Sequence, residues 1–151
     1  MDGPASLAQF YAPVDVCDDG LGNIFVADQQ NYRVRMINTT SMNVSTYAGT
    51  GVAGSRLGNR TQSQFNLLNA IIYDHTKNIF IIADSNPNLK LIINSQVSLL
   101  NSLNAICSKI SVENGIVYCA DSLSRSILSI TDCKRGKKKD EQNFFFFLQN
   151  H

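Results

Sequence analysis

The sequence predicts an all-β fold built from three copies of one four-strand unit, and three observations carry the prediction. First, an apolar run ending in Ala-Asp recurs, as Asn23-Ile24-Phe25-Val26-Ala27-Asp28, Ile79-Phe80-Ile81-Ile82-Ala83-Asp84 and Ile116-Val117-Tyr118-Cys119-Ala120-Asp121. Repetition at this scale sets the architecture before any single residue is interpreted. Second, each run leads through a short polar turn into another apolar strand: Arg33-Val34-Arg35-Met36-Ile37, Leu89-Lys90-Leu91-Ile92-Ile93 and Ser126-Ile127-Leu128-Ser129-Ile130. Third, the runs are too short and too rich in β-branched residues for helices.

Each copy opens on a further short apolar element: Pro13 to Cys17, Leu68 to Tyr73, and Leu103 to Cys107. The Leu-Asn-Ala-Ile of the second recurs in the third. Turn signals follow at Asp19-Gly20, Asp74 to Asn78 and Asn114-Gly115, where residues that tolerate positive φ mark hairpins. A trailing element, Val44 to Tyr47 and Gln96 to Leu100, completes the first two copies. One unit is thus an antiparallel meander of four short strands. The strand Ile79 to Ala83 is apolar at every position and must be covered on both faces. Sheets stacked on either side do this, as in the blades of a propeller.

The reading is therefore an incomplete β-propeller over residues 1–132, with blades at about 10–48, 65–101 and 103–132, the third lacking its outer strand. Inner strands are expected at Val14–Cys17, Ala70–Tyr73 and Ala105–Ser108. The Gly-rich stretch from Ala48 to Phe65 should connect blades on the surface, and its glycines lack the strand–loop–helix context of a phosphate cradle. After Ile130 no blade element follows. Cys133 to Glu141 is Lys-rich and Phe144 to Phe147 is four phenylalanines, so 133–151 is expected to be a disordered basic tail.

The residues in the first copy resemble NHL repeats. Asn23-Ile24-Phe25-Val26-Ala27-Asp28 with Asn31-Tyr32-Arg33-Val34 is similar to that family's signature, with Tyr32 in place of its histidine. Tyr47-Ala48-Gly49-Thr50-Gly51, ending at Gln64-Phe65, is similar to its Ala-Gly-Thr-Gly connector. The second and third copies depart, with Asn88-Leu89-Lys90 and Ser124-Arg125-Ser126. Met1 to Phe10 resembles the back half of a connector, so the chain is expected to start inside one, with further copies beyond it.

The resemblance implies a face that binds protein or RNA. Asp28, Asp84 and Asp121 are read as structural anchors that cap the turn after each strand, because an active site is needed once and not per repeat. Arg33 is expected to pair with Asp28, half exposed, across that turn. Arg33, Arg35, Arg56, Arg60 and Lys90 are candidates for one basic rim that would hold RNA phosphates. Three open-ended blades also predict self-association or completion by other blades.

Enzyme chemistry finds little support. The resemblance extends to the propeller lyase of peptide amidation, whose central metal is held mainly by histidines, but only His75 and His151 occur here. No catalytic, metal or cofactor residues are assigned. With Asn114-Gly115 as a two-residue turn, Cys119 pairs with Ile110, and strand alternation then puts Cys107 on the opposite face, which argues against a disulfide. A fragment of such a lyase, or a truncated gene product without activity, remains the alternative to an interaction scaffold.

Composition narrows the classes further. Net charge is +1 and 44% of residues are hydrophobic, as in a folded chain without a strong field for nucleic acid or membrane. No run reaches the roughly 20 apolar residues of a membrane helix. No signal peptide is visible, and the compartment is left unassigned. The sequons at Asn38, Asn43 and Asn59 are no more than this Asn- and Ser/Thr-rich composition produces by chance.

Overall fold

The computed structural model of the chain describes residues 1–100, 105–130 and 147–148. Its strands are β1 (Gly3–Pro4), β2 (Pro13–Asp18), β3 (Asn23–Asp28), β4 (Arg33–Asn38), β5 (Asn43–Ala48), β6 (Gly58–Asn59), β7 (Leu68–Asp74), β8 (Ile79–Asp84), β9 (Leu89–Ile93), β10 (Gln96–Leu100), β11 (Cys107–Glu113), β12 (Ile116–Asp121), β13 (Ser126–Ile130) and β14 (Phe147–Leu148). Among the described residues the one helical element is a single 3-10 turn at Gln29–Asn31. Among the described residues no helix is long and apolar enough to cross a membrane.

The strands form three antiparallel sheets, in the orders β1-β5-β4-β3-β2, β6-β10-β9-β8-β7 and β11-β12-β13-β14. Each is the expected meander. In the first two sheets the two-residue strands β1 and β6 add an outermost fifth member, contributed by the chain just ahead of the unit. The third sheet departs from the expectation of three strands. Phe147 and Leu148 pair with Leu128 and Ile127 and occupy the fourth place. An open edge at β13 offers unpaired N–H and C=O groups, and an apolar segment able to extend satisfies them. The rest of the presumed tail, like Leu103 and Asn104, lies outside the described residues.

Face-to-face stacking accounts for the unbroken apolar run. Phe80 and Ile82 of β8 join Phe25, Ala27, Val34 and Phe65 in a core between the first and second sheets. Ile79, Ile81 and Ala83 turn the other way and join Cys107, Val117, Cys119 and Leu128 between the second and third. Every residue of β8 is buried. Alternation along one strand thus feeds two cores, which a sheet with one solvated face would not require. The first long strand of each sheet lies innermost: β2 packs on β7, and β7 on β11.

All three innermost strands begin with the same irregularity. The anchor aspartate faces the first strand residue, one residue is looped out, and regular pairing resumes: Pro13 opposite Asp28 then Asp15 opposite Ala27, Leu68 opposite Asp84 then Ala70 opposite Ala83, Cys107 opposite Asp121 then Lys109 opposite Ala120. This β-bulge overturns the cysteine prediction. The Asn114-Gly115 turn and the Ile110–Cys119 pairing are as expected, with φ of 50° and 76° in the turn. The extra residue at Ser108 reverses the alternation below it, so Cys107 returns to the face of Cys119. The two form a disulfide with Cα atoms 5.4 Å apart. The bulge also shows that the repeated Leu-Asn-Ala-Ile is out of structural register. Cys107, not Leu103, occupies the place of Leu68, and the inner strand runs from Cys107 to Glu113 where Ala105–Ser108 was expected.

Candidate interaction surface

Asp28 and Asp84 sit at the centre of matching buried clusters. The carboxylate of Asp28 accepts from Tyr11 N–H at 2.7 Å, from Asn31 Nδ2 at 2.8 Å and from Arg35 Nη1 at 3.0 Å. That of Asp84 accepts from Asn66 N–H at 2.9 Å, from Asn86 N–H at 3.0 Å and from Lys90 Nζ at 2.5 Å. Each cation also donates to a connector carbonyl and lies over the following ring. Arg35 reaches Gln9 O and Phe10, and Lys90 reaches Gln64 O and Phe65. The cluster therefore ties three successive pieces of a unit together: connector, second strand and third strand.

Asp121 has no cation and caps its own turn. Leu128 stands in the register position of Arg35 and Lys90, opposite Cys119 as they stand opposite Val26 and Ile82. Asp121 accepts instead from Leu123 N–H, Ser124 N–H and the Ser124 hydroxyl. Burial alone would raise its pKa, but these donors outweigh burial and hold the carboxyl below the ordinary 3.8. The disulfide lies beside Leu128 in the same apolar cluster, where the first two units have their ion pairs.

These contacts dissolve the proposed basic rim. Arg35 and Lys90 are each 1% exposed, because the neighbouring aspartates draw them into the fold. Arg35 additionally meets Asp2 at 2.5 Å. Arg33 does not hold Asp28. It follows Tyr32, a left-handed residue at the hairpin mouth, and its guanidinium donates to Thr50 O and packs against Gly51. Arg60 stacks 4.3 Å from the Tyr47 ring and donates to Tyr47 O. Of the five, only Arg56 is exposed. Their sequence spacing gave no sign of this, since the acidic partners lie six or seven positions away on the adjacent strand.

The connector is a built element, not a free loop. Gly49 N–H donates to Arg60 O at 2.8 Å, Thr50 N–H to Ser63 O at 3.0 Å and Gly54 N–H to Phe65 O at 3.1 Å. Gly49, at φ +96°, has the backbone oxygen of Tyr32 2.5 Å from where a Cβ would stand, so glycine is required there. Inner strands are likewise joined by polar bonds. Asp15 accepts from Ile71 N–H at 3.0 Å and from Lys109 Nζ at 2.8 Å. Next to it, burial and then the charges of Asp15, Asp18 and Asp19 push the Cys17 thiol up to about 12.

Among the described residues no three His, Cys, Asp or Glu side chains gather as a metal set. Apolar groups are exposed at the innermost strand of the first sheet: Val16 at 61%, on the side turned away from the second sheet, with Val14 beside the bulge and Tyr11 just ahead of the strand.

Comparison with known proteins agrees with this geometry. No family model matches the chain. NHL repeat-containing protein 2 of Gallus gallus is 26% identical over 105 residues, covering 68% of the chain and 14% of that protein. The Bos taurus protein of the same name is 25% identical over 117 residues, covering 76% and 16%. These three sheets are β-propeller blades, and their sequence is similar to that of NHL repeat-containing proteins. The chain spans about a seventh of the length of these curated relatives. Among solved structures, the nidogen/laminin complex superposes with a TM-score of 0.63 at 14% identity, covering 82% of the chain and 44% of its counterpart. A Bacteroides thetaiotaomicron protein of unknown function gives 0.63 at 17% identity, covering 71% and 32%. At such identities the likeness is one of fold. The first two blades spend their recurring charges on internal clamps, and the Ala-Gly-Thr-Gly connector joins the first to the second.

Proposed function

We propose that this chain is a non-catalytic interaction scaffold, an NHL-type propeller segment that offers blade and loop surfaces to a protein partner. One observation carries the reading: the recurring ionisable groups Asp28, Arg35, Asp84 and Lys90 are consumed inside the fold, whereas Val14 and Val16 of the innermost strand, and Tyr11 just ahead of it, are exposed apolar groups. Exposed apolar groups of this kind mark association sites on folded proteins. The RNA reading has lost its support, because it required Arg35 and Lys90 at the surface.

A photo-reactive residue at Val16 in the full chain, expressed in its own cells, tests the proposal. It should cross-link a protein partner that the same probe at Ser41, on an exposed turn, does not reach. Val16→Asp should abolish capture while the far-UV circular dichroism is unchanged. Equal capture from Val16 and Ser41, or none from either, refutes the reading.

A further inference from the structure

Composition alone accounts for the three sequons, but the fold treats them unequally. Asn38 is used inside its own hairpin. Its Oδ1 accepts from Thr40 N–H at 3.2 Å, from Ser41 N–H at 2.8 Å and from the Ser41 hydroxyl at 2.9 Å. Its Nδ2 donates to Asn23 Oδ1 at 3.0 Å, and the residue is half-buried. A sugar on that nitrogen would crowd Asn23 and the hairpin mouth.

Asn43 and Asn59 are placed differently. Both are exposed, and among the described residues the Nδ2 of neither donates to the protein. Asn43 opens β5 opposite Pro4, and Asn59 ends β6 opposite Gln96. They therefore lie on the outermost ladders of the first and second sheets. The sequon at Asn59 is folded on itself: its Oδ1 accepts from Thr61 N–H at 3.0 Å and from the Thr61 hydroxyl at 2.8 Å. The amide nitrogen is the end left facing solvent.

The disulfide supplies an independent observation. Cys107 is 1% exposed and Cys119 not at all, and both pack among Val117 and Leu128. A bond buried in an apolar core is structural, and such bonds form and persist in oxidising compartments. Those compartments belong to the secretory route, along which Asn-x-Ser/Thr is an acceptor for sugar.

From these two observations together we infer that Asn43 and Asn59 are N-glycosylation sites and that Asn38 is not. In the transfer, Nδ2 of the asparagine forms a bond to the anomeric carbon of an oligosaccharide carried on a polyprenyl diphosphate. The bond from that carbon to the phosphate oxygen breaks, the diphosphate leaves with the electron pair, and the amide gives up one proton to solvent. The positions suit the sheets. Outer strands carry N–H and C=O groups that invite edge-to-edge pairing, and a sugar on each outer ladder obstructs it. Asn43 on β5 stands three strands, about 14 Å, from β2 and Val16, so its glycan grows from the opposite margin of the sheet.

The full chain, purified from its own cells, is treated with peptide N-glycosidase in heavy-oxygen water, which turns each glycosylated asparagine into a labelled aspartate. Peptide mass spectrometry should find the label at Asn43 and Asn59 in most molecules and an unmodified Asn38. Ser45→Ala and Thr61→Ala keep both asparagines, so each should remove one glycan, and the pair should abolish the mobility shift that the glycosidase causes. Absence of label at either Asn43 or Asn59 overturns the assignment of that residue, and absence at both overturns the inference. Label at Asn38 overturns the discrimination drawn from its side-chain bonds. The same preparation, alkylated in denaturant without reductant, should leave Cys107 and Cys119 unmodified. Free thiols at both would withdraw the oxidising compartment and overturn the inference as well.

Discussion

The Cys107–Cys119 disulfide gives a prediction whose size follows from the fold. Both cysteines are essentially inaccessible, and the bond closes a loop with a sequence separation of 12. Chain-entropy scaling for a loop of that length gives about 3 kcal/mol, arising from the restriction of the unfolded chain. Replacing both residues, as Cys107→Ala with Cys119→Ala, removes the bond and leaves no polar group in the cluster with Val117 and Leu128. The expected loss is about 3 kcal/mol, a fall of roughly 6–12 °C in Tm. Urea unfolding of both proteins, with and without reductant, measures it. The parent should lose a similar amount on reduction, and the variant should not respond. Equal midpoints for parent and variant, or a native parent that alkylates at Cys107 and Cys119, would refute both the bond and the bulge that brings the cysteines together.

Other expectations follow from the same contacts. Lys90→Met should cost about 3 kcal/mol by leaving the buried Asp84 carboxylate without its cation, and adding Asp84→Leu should recover most of it; urea midpoints of the two variants decide, and a loss that 1 M salt reproduces in the parent would contradict a buried pair. Gly49→Ala should destabilise by about 1–3 kcal/mol, from its positive φ and the Tyr32 carbonyl, in the same unfolding assay. The raised Cys17 thiol should alkylate far more slowly than an ordinary cysteine at pH 8 in the native chain and at the ordinary rate in urea, counted by mass spectrometry. Its folded pKa exceeds the ordinary 9.0, so its contribution to stability is complete below 9 and fades as pH rises towards 12. Asp121 is the opposite case. Its folded pKa is depressed, so its contribution is present above 3.8 and is lost as pH falls below that value; Ser124→Ala should flatten this part of the acid unfolding curve.

Much of the architecture could be read from apolar periodicity. The Ala-Asp strands, the Asn114-Gly115 hairpin and the two-sided burial of Ile79 to Ala83 each follow from residue pattern alone. The errors have one physical origin. Alternation counts residues, and it fails wherever a residue is looped out, as at Ser108. No residue type announces a bulge, because Val14, Asn69 and Ser108 at the three bulges share no chemistry. Among the candidate site residues, the structural part of the aspartates was legible from their recurrence. The destinations of Arg35 and Lys90 were not, since a cation on a strand reads as surface unless its partner's depth is known. Phe147 and Leu148 were misjudged for a related reason: an unpaired strand edge is a property of the sheet, not of the segment that fills it.

The exchange of an ion pair for a disulfide in the third blade means that the array is held together by two independent chemistries. A reductant that reaches the Cys107–Cys119 bond acts on the third unit and leaves the ion pairs of the first and second intact. A cell that changed only its thiol balance would loosen the Phe147–Leu148 end of the molecule and spare the face that carries Val16.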